Sequence, residues 1–213
     1  MLKRCARILA FLLVIGALAA TAYAQTPARD ERPFRVTHYD VELEPRLESR
    51  TVIGTVTLSV VVHRDDVAPA GATITLDRGR LEIDSVREGG SSRAFVVDGT
   101  QVRITLPRGR LNETRMLTVS YRGAPSSGLV FDTEREQIYT VFSTSQWMVA
   151  IDEPSARATL RLRLTMPRAW TASASGREIS RHEMPANTVV VEWEQNRPVP
   201  TYTFGFAAGA FSE

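Results

Sequence analysis

Residues 157–166 read RATLRLRLTM, and the alternation is strict: Ala158, Leu160, Leu162, Leu164 and Met166 are apolar, while Arg157, Thr159, Arg161, Arg163 and Thr165 are polar. A period of two puts the two sets on opposite faces of a strand, whereas a helical period would turn arginines onto the apolar side. The segment is therefore a strand with one face in a core and one in water. Thr51 to Val62 repeats the pattern, with Val52, Val56, Leu58, Val60 and Val62 against Thr51, Thr55, Thr57 and Ser59. Shorter alternations recur at Gln101 to Leu106, Leu117 to Tyr121, Val189 to Trp193 and Tyr202 to Phe206.

Turn residues separate these runs: Asp77-Arg78-Gly79, Gly89-Gly90, Asp98-Gly99, Pro107-Arg108-Gly109, Gly123-Ala124-Pro125 and Gly176. Asp98-Gly99, between AFVV and TQVRITL, is the sharpest hairpin signal, because a two-residue turn needs the positive φ that glycine accepts cheaply. About a dozen short strands and no convincing amphipathic helix predict an all-β chain, an antiparallel β sandwich or saddle. One domain is expected over residues 34–213, with room for two sheets of unequal size.

The start of the chain reads differently. Lys3, Arg4 and Arg7 precede an apolar run from Ile8 to Ala20, and Ala22-Tyr23-Ala24 gives the small-x-small pattern of a cleavage site. These are the three parts of a secretory signal, with an apolar run too short for a confident span. Cleavage after Ala24 and a secreted or periplasmic protein are expected, followed by a polar lead-in over 25–33. The only cysteine, Cys5, lies before the apolar run, so it cannot be the lipidated first residue of a mature chain. The mature chain of 189 residues then has no thiol and must be stabilised by an apolar core. It carries 23 basic and 24 acidic residues, so the whole-chain pI of about 9.0 is due to the leader and supports no nucleic-acid binding.

Catalytic chemistry is conspicuous by omission. Zinc hydrolysis usually needs two histidines a helical turn apart with a glutamate beside the first. His38, His63 and His182 form no local set, and Met184-Pro185-Ala186 follow His182-Glu183 where a helix and a second histidine would be needed. His182 therefore reads as a surface loop histidine. No G-x-S-x-G elbow is present, and Ser173 to Gly176 reads as a strand leaving through a turn. Asp65-Asp66 and Asp152-Glu153 are adjacent carboxylates, which a strand would point apart, so both read as turn or capping groups. Asn112-Glu113-Thr114 matches a glycosylation acceptor. Trp147, Trp170 and Trp193 are either core residues or an exposed platform for sugar or peptide, and the apolar face shared by Trp193 with Val189 and Val191 favours the core.

Several segments, in order, resemble one family. Tyr39-Asp40-Val41-Glu42-Leu43-Glu44-Pro45 with Ile53-Gly54-Thr55-Val56, the turn Tyr121-Arg122-Gly123, then Asp152-Glu153-Pro154 with Arg157-Ala158-Thr159-Leu160 and Met166-Pro167, are similar to the N-terminal domain of the zinc aminopeptidases typified by aminopeptidase N. Ala172 to Gly176 fits its small-residue turn. Pro198, Tyr202, Phe206, Gly209 and Phe211 fit its closing strand. The resemblance implies an antiparallel β saddle that packs on a zinc-bearing catalytic domain, with no catalytic or metal-binding residue of its own.

The departures limit what the resemblance carries. The family's G-x-M-E-N loop and H-E-x-x-H helix would follow this domain, and the sequence ends at Glu213, so a truncated, split or degenerate member is expected, inactive by itself. The family places a substrate-binding glutamine or glutamate about fourteen residues before D-E-P. Counting back from Asp152 gives Ile138, so Gln137 fits with a slip of one residue and is the single substrate-binding candidate. Thr144-Ser145 and Val149-Ala150 stand where the family has A-R and P-C. Expected partners are a catalytic peptidase domain or another protein, and a peptide N-terminus. The other reading is a free-standing secreted β-sandwich module for binding or interaction; an exposed apolar patch favours a docking domain, a polar surface the module.

Overall fold

The decisive alternation folds as read: strand β11, Arg157–Pro167, buries Ala158, Leu160, Leu162, Leu164 and Met166 and turns its arginines and threonines outward. The computed structural model describes residues 32–63 and 71–211. The leader, Cys5, all but the end of the lead-in, and Asp65-Asp66 lie outside the described residues. The remaining strands are β1 (Phe34–Arg46), β2 (Thr51–Val62), β3 (Ala72–Asp77), β4 (Glu82–Glu88), β5 (Ser91–Ser92), β6 (Phe95–Asp98), β7 (Gln101–Leu106), β8 (Thr114–Gly123), β9 (Leu129–Asp132), β10 (Gln137–Thr140), β12 (Thr171–Ala174), β13 (Arg177–Met184), β14 (Thr188–Pro200) and β15 (Phe206–Gly209). The only helical elements among the described residues are two 3₁₀ turns, Thr144–Gln146 and Thr201–Thr203.

Eight strands form one sheet in the order β13-β14-β11-β1-β2-β8-β4-β5; four form a second, β12-β15-β10-β9; and three form a third, β3-β7-β6. The chain is all-β, with fifteen strands among the described residues, of which β1 and β14 reach 13 residues each. Pairing is antiparallel except between β1 and β11, which run parallel from His38 opposite Thr159 to Leu43 opposite Leu164. Only a long crossover permits a parallel pair, and the residues between these strands supply the third sheet and half of the second.

One contiguous buried cluster runs through all three sheets. Trp147, Trp170 and Trp193 belong to it at 0, 8 and 3% exposure, so they are core residues and do not form an exposed platform. Outside, the large sheet carries cross-strand hydroxyl pairs such as Thr57 with Thr118 at 3.0 Å, and Arg163 bridges Asp40 at 2.6 Å and Glu42 at 3.1 Å. Such half-exposed pairs set register more than they add stability.

Two readings need correction. The Asp98-Gly99 hairpin exists, but its two loop residues are Gly99 and Thr100, since Asp98 is opposite Gln101. Gly99 takes the positive φ, 55°. Tyr202 to Phe206 is no strand: it opens as the 3₁₀ turn Thr201–Thr203, and β15 begins only at Phe206. Thr203 Oγ1 donates to Pro200 O at 2.7 Å, and the Thr201 hydroxyl donates to Ile151 O. These side-chain bonds offer the backbone an alternative to a ladder. The apolar alternation survives because Phe204 still enters the core, edge-on to Tyr39.

Candidate functional site

Trp147 to Ile151 is fully buried yet lies outside every strand. Its backbone groups are satisfied from three directions. Ala150 exchanges both hydrogen bonds with Asp77, Ile151 N donates to Tyr39 Oη at 3.1 Å, and Thr201 holds Ile151 O. Burial pushes the Tyr39 phenol well above its ordinary range, keeping it neutral in this role. Asp152 then serves as a turn group: its N donates to Asp77 Oδ2 and its own Oδ2 accepts from Ser145 N, both at 3.0 Å. Glu153 pairs with Arg32 at 3.0 Å, and its carbonyl accepts from Ala156 N. The acidic pair is structural, as its residue type suggests.

This turn stands beside the end of β10. Ile138, the residue fourteen before Asp152, is wholly buried and opposite Ala208, so it cannot meet a ligand. Gln137, one residue earlier, shares the outward face of β10 with Tyr139, which is 37% exposed, and Val141, 47% exposed, follows the end of the strand. Gln137 is opposite Asp132 on β9 and Gly209 on β15. A Cβ at Gly209 would come within 2.9 Å of Gln137 Cγ, so the glycine leaves room for that side chain. Arg135 Nη1 donates to Asp132 Oδ2 at 2.8 Å, and this bond holds the Asp132 carboxyl below its ordinary range.

Phe142, two residues beyond the end of β10, was not signalled by sequence. It is 69% exposed, the most exposed large apolar residue described, and it has a φ of +48°, as does Ser143. Bulky side chains rarely occupy that left-handed region, and such strain tends to gather at functional sites. Phe142 lines a shallow cleft of about 340 Å³ with Ser143, Asp152, Pro154 and Tyr202.

The histidines do not converge. His38, on β1, bonds Thr159 Oγ1 through Nδ1 at 2.7 Å. His63 follows β2, and His182 is exposed on β13, a strand where a loop was expected. Among the described residues no three His, Cys, Asp or Glu side chains could hold a metal together. Ser173 lies on β12, which leaves through Ser175 and Gly176 as read; a Cβ at Gly176 would lie 2.2 Å from Glu194 O. Asn112 is exposed in a turn.

A peptidase M1 N-terminal domain profile matches residues 35–203. Among solved structures, the M1 zinc metallopeptidase of Deinococcus radiodurans is 28% identical, with a TM-score of 0.74, over 86% of this chain and 44% of that one. A mutant form of the same enzyme, bound to a Tyr-Ser-Ala substrate, matches equally. Yeast LTA4 hydrolase in complex with bestatin shares the fold, at 20% identity and a TM-score of 0.71, over 90% of this chain and 31% of that one. The chain thus spans less than half the length of these proteins. No curated protein matches it.

Proposed function

The chain belongs to the peptidase M1 N-terminal domain family, and we propose that it is the non-catalytic partner of a zinc-bearing peptidase domain, docking through Tyr139, Val141 and Phe142. The observation that carries this reading is Phe142, an aromatic side chain held in solvent on a strained backbone next to the Asp152 turn. Exposed apolar groups kept together at such a cost are characteristic of an interface. The zinc would be held by the partner; among the described residues of this chain no three His, Cys, Asp or Glu side chains come together to hold it.

Gln137 lies on the same outward face and is the residue that would meet the free N-terminus of a peptide. Its amide oxygen can accept from an ammonium group while its NH₂ stays available to a carbonyl. Delivery outside the cytoplasm, by cleavage after Ala24, is part of the same proposal; N-terminal sequencing of the mature protein should begin at Gln25.

Reconstitution with the zinc-bearing part of the Deinococcus radiodurans enzyme tests the reading. Mixing should restore hydrolysis of an aminoacyl anilide, and Phe142→Glu should abolish association. Gln137→Ala should raise KM by about tenfold with little change in kcat. An unchanged KM would exclude Gln137, and equal association of the Phe142→Glu variant would exclude the docking face.

A further inference from the structure

A cleft of about 300 Å³ opens at the far end of β1 from the Asp152 turn, between the turn that follows β1 and the turn that follows β11. Pro45, Leu47, Met166 and Trp170 line it; all four are buried, and the last three belong to the core cluster. Both turns are pinned. In the first, Arg50 N donates to Leu47 O at 3.2 Å; in the second, Trp170 N donates to Pro167 O at 3.0 Å and Arg181 Nη2 donates to Trp170 O at 3.1 Å. The apolar wall is therefore held in place by the fold itself.

Trp170 supplies an independent observation. It is 8% exposed, yet its indole N–H donates to no group of the protein. Nor is that N–H sealed in, as the unpartnered indole of Trp147 is. A buried tryptophan usually finds an acceptor for this donor, so here the acceptor has to come from the cleft. Water is poorly suited to the place, since an ordered water needs about two to four polar partners. The side chains of Pro45, Leu47 and Met166 offer none but a weak sulfur acceptor, and the Thr188 hydroxyl is already turned to Pro185 O at 2.9 Å.

The rim selects by charge. Arg46 donates to Glu44 at 2.8 Å, which neutralises both, and Glu48 is left as the uncompensated charge. A ligand carboxylate would meet repulsion there. We propose that the cleft binds an apolar side chain carried by an uncharged amide, as in an internal leucine of a peptide. The side chain lies on Leu47, Met166 and Trp170, and the amide carbonyl accepts from Trp170 Nε1. The volume sits at the lower end of small-ligand sites and holds one such residue. The site does not rest on the function proposed above.

Amide and indole shifts of the full chain, titrated with N-acetylleucinamide, N-acetylleucine and isopentylamine, test the assignment. The neutral amide should move the Trp170 indole signal downfield and shift residues 46–49 and 168–170 saturably. N-acetylleucine, which adds a negative charge, and isopentylamine, which lacks the carbonyl, should each bind about fivefold more weakly. Trp170→Phe keeps an aromatic wall without the donor and should weaken the neutral amide by about tenfold. Glu48→Gln, at an exposed position, should bring the acid to within about twofold of the amide, a result independent of that core substitution. Equal binding of the three probes, an unmoved indole signal, no saturable change, or unaltered binding by Trp170→Phe would overturn the proposal.

Discussion

Gly54 on β2 lies directly opposite Tyr121 on β8, and a Cβ there would sit 2.5 Å from the tyrosine ring. Two of the segments that resemble the family, around Gly54 and in Tyr121-Arg122-Gly123, are therefore one contact: the ring lies where a side chain would be. Gly54→Ala should cost about 1–3 kcal/mol in chemical denaturation, by overpacking. The Tyr121 hydroxyl is buried without a partner, so Tyr121→Phe should be neutral or stabilising in the same measurement. His38 makes a second prediction at this scale. Burial lowers its pKa from 6.5, Asp40 and Glu194 oppose that, and Arg161 adds to it. An unfolded chain binds the proton first, so the contribution of His38 is present above pH 6.5 and is lost as pH falls through the lowered value. A ring-proton titration should give a midpoint below 6.5, and His38→Gln should flatten the stability profile in that window. Apart from Asp40 beside His38, these contacts are not legible in sequence, because they join residues far apart in the chain.

Strands were legible where one face is buried and the other wet. β2 and β7 begin and end at the expected residues, and β11 ends one residue later. Legibility fails where polar side chains satisfy the backbone themselves, as Thr201 and Thr203 do, and where burial has no period, as in Trp147 to Ile151. Glu88 shows what joins elements at the edge of the large sheet. Its two oxygens accept from Arg93 Nε at 2.8 Å and Arg115 Nε at 2.5 Å, tying the end of β4 to β8 and to the residues after β5. Burial alone would raise its pKa, but the bonds from Arg115 and Arg93 outweigh it and hold the carboxyl below 4.5. The depressed value means that this stability is present above pH 4.5 and is lost as pH falls through the folded pKa. Glu88→Gln should cost about 1–3 kcal/mol at neutral pH and make unfolding less acid-dependent, as read by denaturation at several pH values.

At the scale of the molecule, the large sheet presents hydroxyl and ion-pair ladders to water with Ile53, Met116, Ile179 and Met184 exposed among them, while Tyr139 on the four-stranded sheet is followed in the chain by exposed Val141 and Phe142. The proposed docking surface therefore rests on Phe142, the most exposed large apolar residue described, and on its positive φ. Gln137 was reached from a family pattern with a slip of one residue; strand parity turns 138 inward and 137 outward, and the proposed substrate role of Gln137 is for the Gln137→Ala kinetics to decide. Phe142 was not reached, since neither its exposure nor its positive φ leaves a mark on composition or period. The most direct measurement is photo-crosslinking in the source cells, with a photoreactive phenylalanine analogue at position 142 and a control at position 57 on the outside of the large sheet. A covalent adduct formed from position 142 alone, and carrying an H-E-x-x-H zinc peptidase domain, is the predicted result. Equal labelling from both positions, or an adduct from 142 with an unrelated protein, would contradict it.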